Sequence, residues 1–351
     1  MKNNYIGENL KRIRLLKQLS LKEAGLLMNL SAPGLAKYEK GEVIPDSKRL
    51  IEFANAYDVK AADILKIHSE IKMNFNSFRK RKKLDGQKLE LLKDIIQDEV
   101  GNYFDILEES NITEYNNKFI KYSCNNYIDA EKAADSFRRH YNLSINQPIS
   151  NLIDILENIG ILIIEIENKN NMFDGFDGLS EIINNRPVII IKNISDGARQ
   201  RFTIAHELGH LLLEIKDSNI DEEKLCNAFA SSLLMPKEAV INEFGSIRKN
   251  LSFYELISFK KEYKVSIAAI IYRLKELNII SEYTYKNLNI FMSKNNYKKE
   301  EPVNIPPECS DQYKRIVHRL YADSIISINR ASELLGMSID EYNIEDNYYR
   351  H

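Results

Sequence analysis

Two histidines and a glutamate stand close together in an apolar stretch of the chain, where they could hold and use a metal ion. His206 and His210 are four residues apart, so a helix places both imidazoles on one face, within reach of a single cation. Glu207 directly follows the first histidine, so its carboxylate lies beside the cation rather than on it. That is the position of a general base acting on water, and the His-Glu-x-x-His spacing is typical of zinc peptidases.

A five-residue pattern with three fixed positions also arises by chance, so its surroundings decide how it is interpreted. The rest of the segment 200–213 is apolar almost all round, which predicts a buried helix. Two imidazoles and a carboxylate are costly in a protein core unless something pairs them, and a bound dication would do so. The sequence therefore favours a metal site over three unrelated core side chains.

A catalytic zinc also needs a third protein ligand and an open position for water. Residues 221–236 predict a second helix that stops at a proline. Glu223 and Asn227 share one face of this helix, so we expect Glu223 to be the third ligand and Asn227 to hydrogen-bond one of the ligands. Two rivals are weaker, because Glu214 lies a turn beyond the second histidine on its helix and Glu222 is turned away from the Asn227 face.

Two runs of the chain carry a family likeness. They are Arg199-Gln-Arg-Phe-Thr-Ile-Ala-His-Glu-Leu-Gly-His-Leu-Leu-Leu-Glu214 and Glu223-x-x-Cys-Asn-Ala-Phe-Ala-x-x-Leu-Leu-Met-Pro236. Here the chain resembles the ImmA/IrrE family of zinc metallopeptidases, and the likeness extends over residues 149–277. It implies a thermolysin-like site, with His206, His210 and Glu223 as ligands of one Zn²⁺ per chain and Glu207 as the catalytic acid and base. The best-known members cleave the repressor encoded beside them, so the resemblance implies a repressor as substrate.

The N-terminal part of the chain predicts a small all-α domain of five short helices. We expect them at residues 6–18, 21–28, 32–40, 47–57 and 61–66. Ser20 and Ser47 are the expected N-caps, and Gly41 lies just past a helix end. The turn at 29–31 has helix-turn-helix proportions. Leu19-Ser-x-Lys-Glu-x-x-x-x-Met-x-Leu-Ser31, Leu35-x-Lys-Tyr-Glu-Lys-Gly-Glu42 and Pro45 resemble the Xre/Cro-type DNA-binding domain of phage repressors.

The net charge of this domain suits DNA binding. The second helix of the helix-turn-helix, at residues 32–40, offers few side chains that could contact bases. Residues 1–67 contain twelve Lys and Arg against eight Asp and Glu, a net charge of +4 that favours phosphate contacts. The helix opens with Ser31 and Ala32, and Lys37 is its only long polar side chain at a base-facing position. With Lys40 at the helix end, these four residues are the candidate DNA contacts. The alternative is a domain kept for dimerisation or for binding a repressor.

The chain divides into four expected regions. They are the helix-turn-helix domain at 1–67, a helical connector at 68–146, the metallopeptidase domain at 147–280 and a helical C-terminal docking region at 281–351. The connector contains a basic run at 78–83 and an amphipathic helix at 87–107, which we expect to pack on the catalytic region. A polar tail from 343 is expected to fray.

Two strands are expected beside the active-site helix, at 161–166 and 187–191, and Ser195 or Asp196 should cap that helix. An exposed strand edge in this sheet could hold an extended substrate by strand addition. The predicted fold class is therefore mainly α with a small β-sheet, an α+β architecture.

The composition of the whole chain excludes few functions. The 351 residues carry a net charge of −2, with no apolar run of membrane-spanning length and no signal-like N-terminus. The three cysteines are far apart and odd in number, which argues against a disulfide framework. We therefore expect a cytoplasmic protein.

The sequence predicts a zinc-dependent endopeptidase that hydrolyses a peptide bond in a partner repressor of the Xre/Cro type and thereby derepresses genes. The alternative is a helix-turn-helix transcription regulator whose metallopeptidase-like domain has little activity or acts as a sensor. The expected partners are the protein substrate and DNA contacted through residues 1–67, with no membrane, and a homodimer is left open.

Overall fold

The computed structural model describes residues 4–66, 73, 86–112, 120–217 and 219–349. The chain forms two compact units, one containing residues 1–72 and 85–102 and the other containing residues 73–84 and 103–351. The predicted basic run at 78–83 lies outside the described residues. None of the described helices is long and apolar enough to span a membrane.

The first unit is helical throughout its described part. Its helices are α1 (Tyr5–Leu16), α2 (Leu21–Leu27), α3 (Ala32–Glu39), α4 (Ser47–Tyr57), α5 (Ala61–Leu65) and residues 86–102 of α6 (Gly86–Glu109). The five short helices expected from the sequence are present, with small shifts at their ends. The sequence led us to expect that α6 packs on the catalytic region, but the structure groups its larger part with the N-terminal helices, where Arg12 forms an ion pair with Asp98.

Two N-caps of this unit show how local hydrogen bonds set the helix starts. Ser20 and Glu23 form a capping box, in which the Ser20 hydroxyl accepts from the Glu23 amide at 3.2 Å. At α4 the expected cap, Ser47, is wrong: Asp46 is the cap, and its carboxylate accepts from the Arg49 amide at 2.8 Å. Asp46 holds the extended backbone of a cap while Ser47 is already helical, and a carboxylate also suits the positive end of the helix.

A buried ion pair fixes α3 against α1. Arg14 donates from Nε to Glu39 Oε1 at 2.6 Å and from Nη2 to Oε2 at 2.9 Å. A third bond runs from Arg14 Nη1 to the Leu19 carbonyl at 2.9 Å. This two-pronged geometry suits a buried guanidinium, because both carboxylate oxygens are satisfied together. The second helix of the turn is thus held in one orientation.

The second unit contains the end of α6, eleven further helices and two small sheets in its described part. The elements are β1 (Tyr122–Ser123), α7 (Tyr127–His140), α8 (Leu152–Asn158), β2 (Leu162–Ile166), β3 (Gly178–Ile183), β4 (Arg186–Lys192), α9 (Gly197–Leu212), β5 (Leu213–Glu214), α10 (Glu222–Leu234), α11 (Lys237–Phe244), α12 (Phe253–Tyr263), α13 (Ile267–Glu276), α14 (Glu282–Lys294), α15 (Gln312–Ala322), α16 (Ile328–Leu334) and α17 (Ile339–Tyr349). The predicted fold class, mainly α with a small sheet, is confirmed.

The larger sheet has three strands in the order β2-β4-β3. The central β4 pairs parallel to β2 and antiparallel to β3, and every residue of β4 is buried. Strand β3 was not assigned from the sequence. It reaches β4 through the two-residue turn Asn184-Asn185, where both residues have positive φ, of 48° and 66°. Asparagine tolerates this left-handed conformation, which two-residue hairpins require.

Helix α9 lies within the main core of the second unit. Its buried apolar side chains are Ile204, Ala205, Leu208, Leu211 and Leu212. It packs against β3, β4 and α10, and α10 packs in turn against α7. The structure therefore confirms the prediction that the helix carrying His206 and His210 is buried. Such packing explains why the apolar pattern continues almost all round this helix.

A short C-terminal segment, 305–310, packs against α8 and α9. Buried Glu308 forms an ion pair with the fully buried Arg201 of α9, and burial lowers the pKa of Arg201. The second oxygen of Glu308 accepts from the amides of Leu152 and Ile153, at 2.7 and 3.1 Å. These amides begin α8, where a negative charge is favoured. One carboxylate thus links three parts of the unit.

The start of α9 approaches the same segment closely. The Gly197 amide donates to the Ile305 carbonyl at 2.8 Å, and a Cβ at Gly197 would lie only 2.1 Å from the Pro306 carbonyl oxygen. Only glycine therefore permits this contact. The Gln200 side chain, one turn on, exchanges two hydrogen bonds with the Glu308 backbone, at 2.7 and 2.8 Å.

The polar tail expected to fray from residue 343 is helical in its described part, as α17. Ser338 and Glu341 exchange two hydrogen bonds at its start, of 2.7 and 3.2 Å. Tyr342 is fully buried and stacks on His318, with its hydroxyl 3.1 Å from His318 Nδ1. One buried aromatic side chain and a capped start thus stabilise a helix that its polar composition did not indicate.

Candidate metal centre

Helix α9 is capped at its start and ends directly before the β5 strand. Asp196 is the cap, and its side chain accepts from the amides of Ala198 and Arg199 at 3.0 and 3.3 Å. The helix ends at Leu212, so the sequence-based placement of Glu214 on the same helix is wrong. Glu214 lies in β5, pairs with β1 and is exposed.

The structure brings His206, His210 and Glu223 together where α9 faces α10. The two imidazole Nε2 atoms are 3.1 Å apart. Glu223 lies 3.2 Å from His206 Nε2 through Oε2 and 3.5 Å from His210 Nε2 through Oε1. The histidine side chains are 12% and 15% exposed and that of Glu223 is 51% exposed, so the cluster is open to solvent on the α10 side.

The outer nitrogen of each imidazole faces an oxygen acceptor. His206 Nδ1 lies 2.9 Å from Asn227 Oδ1, and His210 Nδ1 lies 2.9 Å from Glu222 Oε1. Each Nδ1 therefore carries the proton and donates it. In a neutral imidazole the other nitrogen, Nε2, then carries a lone pair. Both lone pairs point into the same space, together with the Glu223 carboxylate.

This donor set fits a divalent ion. Two lone pairs 3.1 Å apart repel each other unless a cation lies between them. Ligands about 2.0–2.1 Å from a tetrahedral zinc are about 3.3 Å from one another, which agrees with the three distances observed. The three ligand atoms also form the only such cluster of histidine, cysteine and carboxylate side chains found in the described ranges.

Glu207 follows His206 on α9, about 100° around the helix, and lies against β3. Its side chain is buried, and its Oε2 accepts a hydrogen bond from the Ser180 hydroxyl at 3.0 Å. A Cβ at Gly178 would lie 3.1 Å from Glu207 Cγ and 2.9 Å from Thr203 Cγ2. The absence of a side chain at Gly178 therefore leaves the room that the Glu207 carboxylate occupies.

Comparison with known families decides what this arrangement belongs to. The Peptidase_M78 family model, described as the IrrE N-terminal-like domain, matches residues 156–275, and the helix-turn-helix family model matches residues 10–64. The chain carries a helix-turn-helix domain and an ImmA/IrrE-type domain. The cluster of His206, His210 and Glu223 lies within the ImmA/IrrE-type domain, as does Glu207. Such a domain implies a divalent metal ion.

A curated relative supports the same assignment. The radiation response metalloprotease IrrE of Deinococcus radiodurans is 33% identical over 106 residues, covering 25% of this chain and 31% of the relative. The chain thus matches about a third of the length of that relative.

Two solved structures align with most of the chain at low similarity. The apo form of ComR from S. Thermophilus is 14% identical, with 92% of this chain and 97% of that chain covered and a TM-score of 0.17. The Streptococcus dysgalactiae SHP pheromone receptor Rgg2 is 13% identical, with 97% and 99% covered and a TM-score of 0.15. Neither likeness supports a shared overall fold at these TM-scores.

Two polar residues of the ImmA/IrrE-type site did not emerge from the sequence. Glu222 was considered only as a rival ligand, yet it contacts the outer nitrogen of His210. The packing of α9 against α10 sets this contact, and helix periodicity alone does not reveal it. Ser180 contacts Glu207 from a strand 27 residues earlier in the chain, and no local pattern marks it.

The candidate DNA contacts lie in and beside α3. The Ser31 hydroxyl caps α3 by accepting from the Gly34 amide at 3.2 Å, and Ala32 is half-buried. Lys37 and Lys40 are exposed, the first on α3 and the second directly after it. Ser31 thus has a structural role in the helix, while the two lysines are accessible to phosphates. Contact with DNA stays a prediction for all four residues.

Proposed function

We propose that this chain is a zinc-dependent endopeptidase that hydrolyses a peptide bond in a protein substrate. The observation that carries the proposal is the convergence of His206, His210 and Glu223, with Glu207 next in sequence and buried against β3. In this proposal the first three residues hold one Zn²⁺ per chain. Asn227 and Glu222 orient the two imidazoles by accepting their Nδ1 protons.

A zinc ion in this site would lower the pKa of a water toward about 7 and polarise the scissile carbonyl. Glu207 is the general base that takes a proton from this water as its oxygen attacks the carbonyl carbon. Glu207 then donates the proton to the amine nitrogen as the carbon–nitrogen bond breaks, which leaves a carboxylic acid and an amine. The Ser180 hydroxyl donates to one oxygen of Glu207 and so holds this carboxylate in place.

The position of β3 suggests how a substrate is held. It is an edge strand, and no further strand pairs with its outer side in the part of the chain that the structure describes. Its Ser180 contacts Glu207, so this edge begins beside the proposed general base. A substrate segment added to β3 as a strand would carry its backbone past the metal ligands.

We propose a repressor of the Xre/Cro type as the substrate, and derepression of genes as the result. The support is the helix-turn-helix domain at residues 10–64, which is the kind of domain expected in that repressor. It could bring the peptidase to the operator by contacting DNA, or pair with the like domain of the repressor.

Metal content tests the ligand assignment. We expect about one zinc per purified wild-type chain, and strong loss in His210→Ala and Glu223→Ala, because each change removes one of three protein ligands. Glu214→Ala is the matched control, since it removes an exposed glutamate just past α9 and should leave the metal in place. Wild type without metal, or full retention in Glu223→Ala, would refute the site.

Cleavage tests the chemistry. The proposed substrate, a repressor of the Xre/Cro type, should be cut by the wild type, whereas Glu207→Gln should keep the metal and lose at least about 100-fold in rate, because the general base is gone. Mass spectrometry of the products measures both cut site and rate. If operator binding survives Glu207→Gln and wild type yields no cut protein, the regulator with a sensor domain replaces this proposal.

A further inference from the structure

A cavity of about 400 Å³ opens beside the metal cluster, within the second unit. It lies between α7, α9, α10 and α13, which contribute Tyr127, Phe202, Ser231 and Ala269 to its lining. Its size falls in the range of pockets that hold a ligand rather than a few waters, about 300–1,000 Å³. Neither the metal ligands nor Glu207 lines it, so the proposed chemistry does not account for it.

The walls of this cavity are aromatic and partly exposed. Tyr127 is 49% exposed and Tyr272 is 46% exposed. Phe202 of α9, which also lines the cavity, is half-buried. Exposed aromatic surface in a concave site gains free energy when another ring covers it, both by burial and by ring-to-ring contact. The lining therefore favours an aromatic ligand group.

Two buried polar atoms of the lining residues, the Ser231 hydroxyl and Glu276 Oε2, lack a hydrogen-bond partner among the described residues. Ser231 is 4% exposed, and its hydroxyl makes no hydrogen bond among the described residues. A buried hydroxyl without a partner costs free energy, and rotation about one bond can present it to a ligand. The hydroxyl suits a ring that carries a donor, such as an indole N–H or a phenol.

The charges around the cavity are already paired. Lys224 lies 3.3 Å from Asp221, and Glu276 lies 3.6 Å from Arg273. The lining thus contains one positive and one negative side chain, each in an ion pair, and Arg273 also pairs with Glu131. This balance favours a neutral ligand group over an anion or a cation.

The cavity adjoins the cluster of proposed metal ligands. Phe202 lies four residues before His206, so it occupies the same face of α9 about 6 Å away along the axis. Asn227 lines the cavity and also contacts His206. In an extended peptide the side chains on one face repeat every two residues, about 6.6 Å apart. A peptide with its scissile bond at the cluster therefore places a neighbouring side chain over the cavity.

We propose that this cavity is a recognition pocket for an aromatic side chain of the peptide substrate, within two residues of the bond that is cut. The assignment rests on the proposed peptidase function, because the position of the cavity beside the proposed metal ligands identifies its occupant as part of a substrate. Tyr127, Phe202 and Tyr272 surround the ring, and the Ser231 hydroxyl pairs with its polar atom.

A tryptophan-containing peptide gives a direct test, because the chain itself has no tryptophan. The probe is the capped pentapeptide Ala-Ala-Trp-Ala-Ala, titrated against the full-length protein while its indole emission and anisotropy are measured. We expect a saturable blue shift with a dissociation constant of about 1 mM or tighter, and no competition from the corresponding all-alanine peptide.

Two neighbouring alanines of α13 provide matched variants. Ala269 lines the cavity, whereas Ala268 is exposed outside it. Ala269→Phe fills the pocket and should weaken binding at least about tenfold, while Ala268→Phe adds the same ring elsewhere and should leave binding unchanged. Equal circular dichroism and unfolding midpoints of the two variants exclude a folding defect.

The binding assay needs neither metal nor cleavage, so its result is separate from that of the metal assay. Absence of saturation up to about 5 mM, or equal binding by Ala269→Phe, would overturn the pocket even if zinc and cleavage are found. In the cleaved substrate, a cut site with no aromatic side chain within two residues would also overturn it.

Discussion

At the scale of single residues, Glu222 shows how a neighbour of the metal cluster controls it without joining it. Its carboxylate accepts from His210 Nδ1 at 2.9 Å, on the side of the ring away from Glu223. That bond holds the imidazole in the tautomer and orientation that leave Nε2 available to a metal. Glu222 is therefore a positioning residue in our proposal.

Replacing Glu222 should weaken metal binding while leaving all three proposed ligands in place. We expect Glu222→Leu to lower zinc affinity about 10–100-fold, because His210 loses the acceptor that orients it. Glu222→Gln keeps an oxygen acceptor and should stay much closer to wild type. Competition with a chromophoric chelator measures the affinity, and equal affinities of the leucine and glutamine variants would contradict this role.

The sequence could predict the proposed ligands and the Asn227 contact, but not the contacts of Glu222 and Ser180. His206 and His210 share a face of one helix, and Glu223 and Asn227 share a face of the next helix. Helix periodicity alone therefore pairs the residues within each helix. Contacts of Glu222 and Ser180 depend instead on how separate elements pack. Such contacts need the tertiary arrangement.

At the scale of secondary structure, elements with marked ends were easier to predict than elements that depend on tertiary contacts. The five helices at the N-terminus carry caps and turn residues that mark their ends. Strand β3 was missed because its neighbourhood is rich in turn residues and only the hairpin at Asn184 and Asn185 marks it. Helix α17 was missed because it depends on burial of Tyr342, a tertiary contact.

The segment 305–310 should contribute strongly to stability although it lies far from α9 in sequence. Glu308→Ala leaves the fully buried Arg201 without its carboxylate and removes the acceptor for two α8 amides. We expect the free energy of unfolding of the second unit to fall by about 3–5 kcal/mol, because an unpaired buried charge is costly. Urea unfolding followed by circular dichroism measures the change.

Glu300→Ala is the control for this prediction. It removes an exposed glutamate shortly before the same segment, so its effect should stay within about 0.5 kcal/mol. If Glu308→Ala also stays within that margin, the segment does not hold α8 and α9 as its hydrogen bonds indicate.

At the scale of the whole molecule, the positive charge is concentrated in the helix-turn-helix domain. Residues 1–67 have a net charge of +4 while the entire chain has −2, so the remaining residues carry −6. Non-specific DNA affinity arises mainly from lysine and arginine at phosphates, with release of counterions. Any DNA contact of this chain is therefore expected through the first unit.

The salt dependence of DNA binding tests the role of Lys37 and Lys40. Each alanine substitution should reduce the slope of log K against log salt by about 1, because one phosphate contact is lost. Anisotropy of a labelled duplex at several KCl concentrations gives the slope for the full-length protein. Lys60→Ala removes the same charge at the start of α5 and should leave the slope unchanged.

Unchanged slopes for Lys37→Ala and Lys40→Ala would show that α3 does not meet the phosphates. The dimerisation or repressor-binding role of the domain would then be the better interpretation.

The edge position of β3 links the proposed peptidase to the stability of whatever it cuts. A segment that pairs with β3 must use its own backbone N–H and C=O groups for the new ladder, so it cannot keep them in its native helix or sheet. The cleavage rate then scales with the fraction of substrate molecules in which that segment is locally unfolded. Each loss of about 1.4 kcal/mol of local stability raises this fraction about tenfold. A stress that loosens a repressor would thereby accelerate its removal without any change in the peptidase.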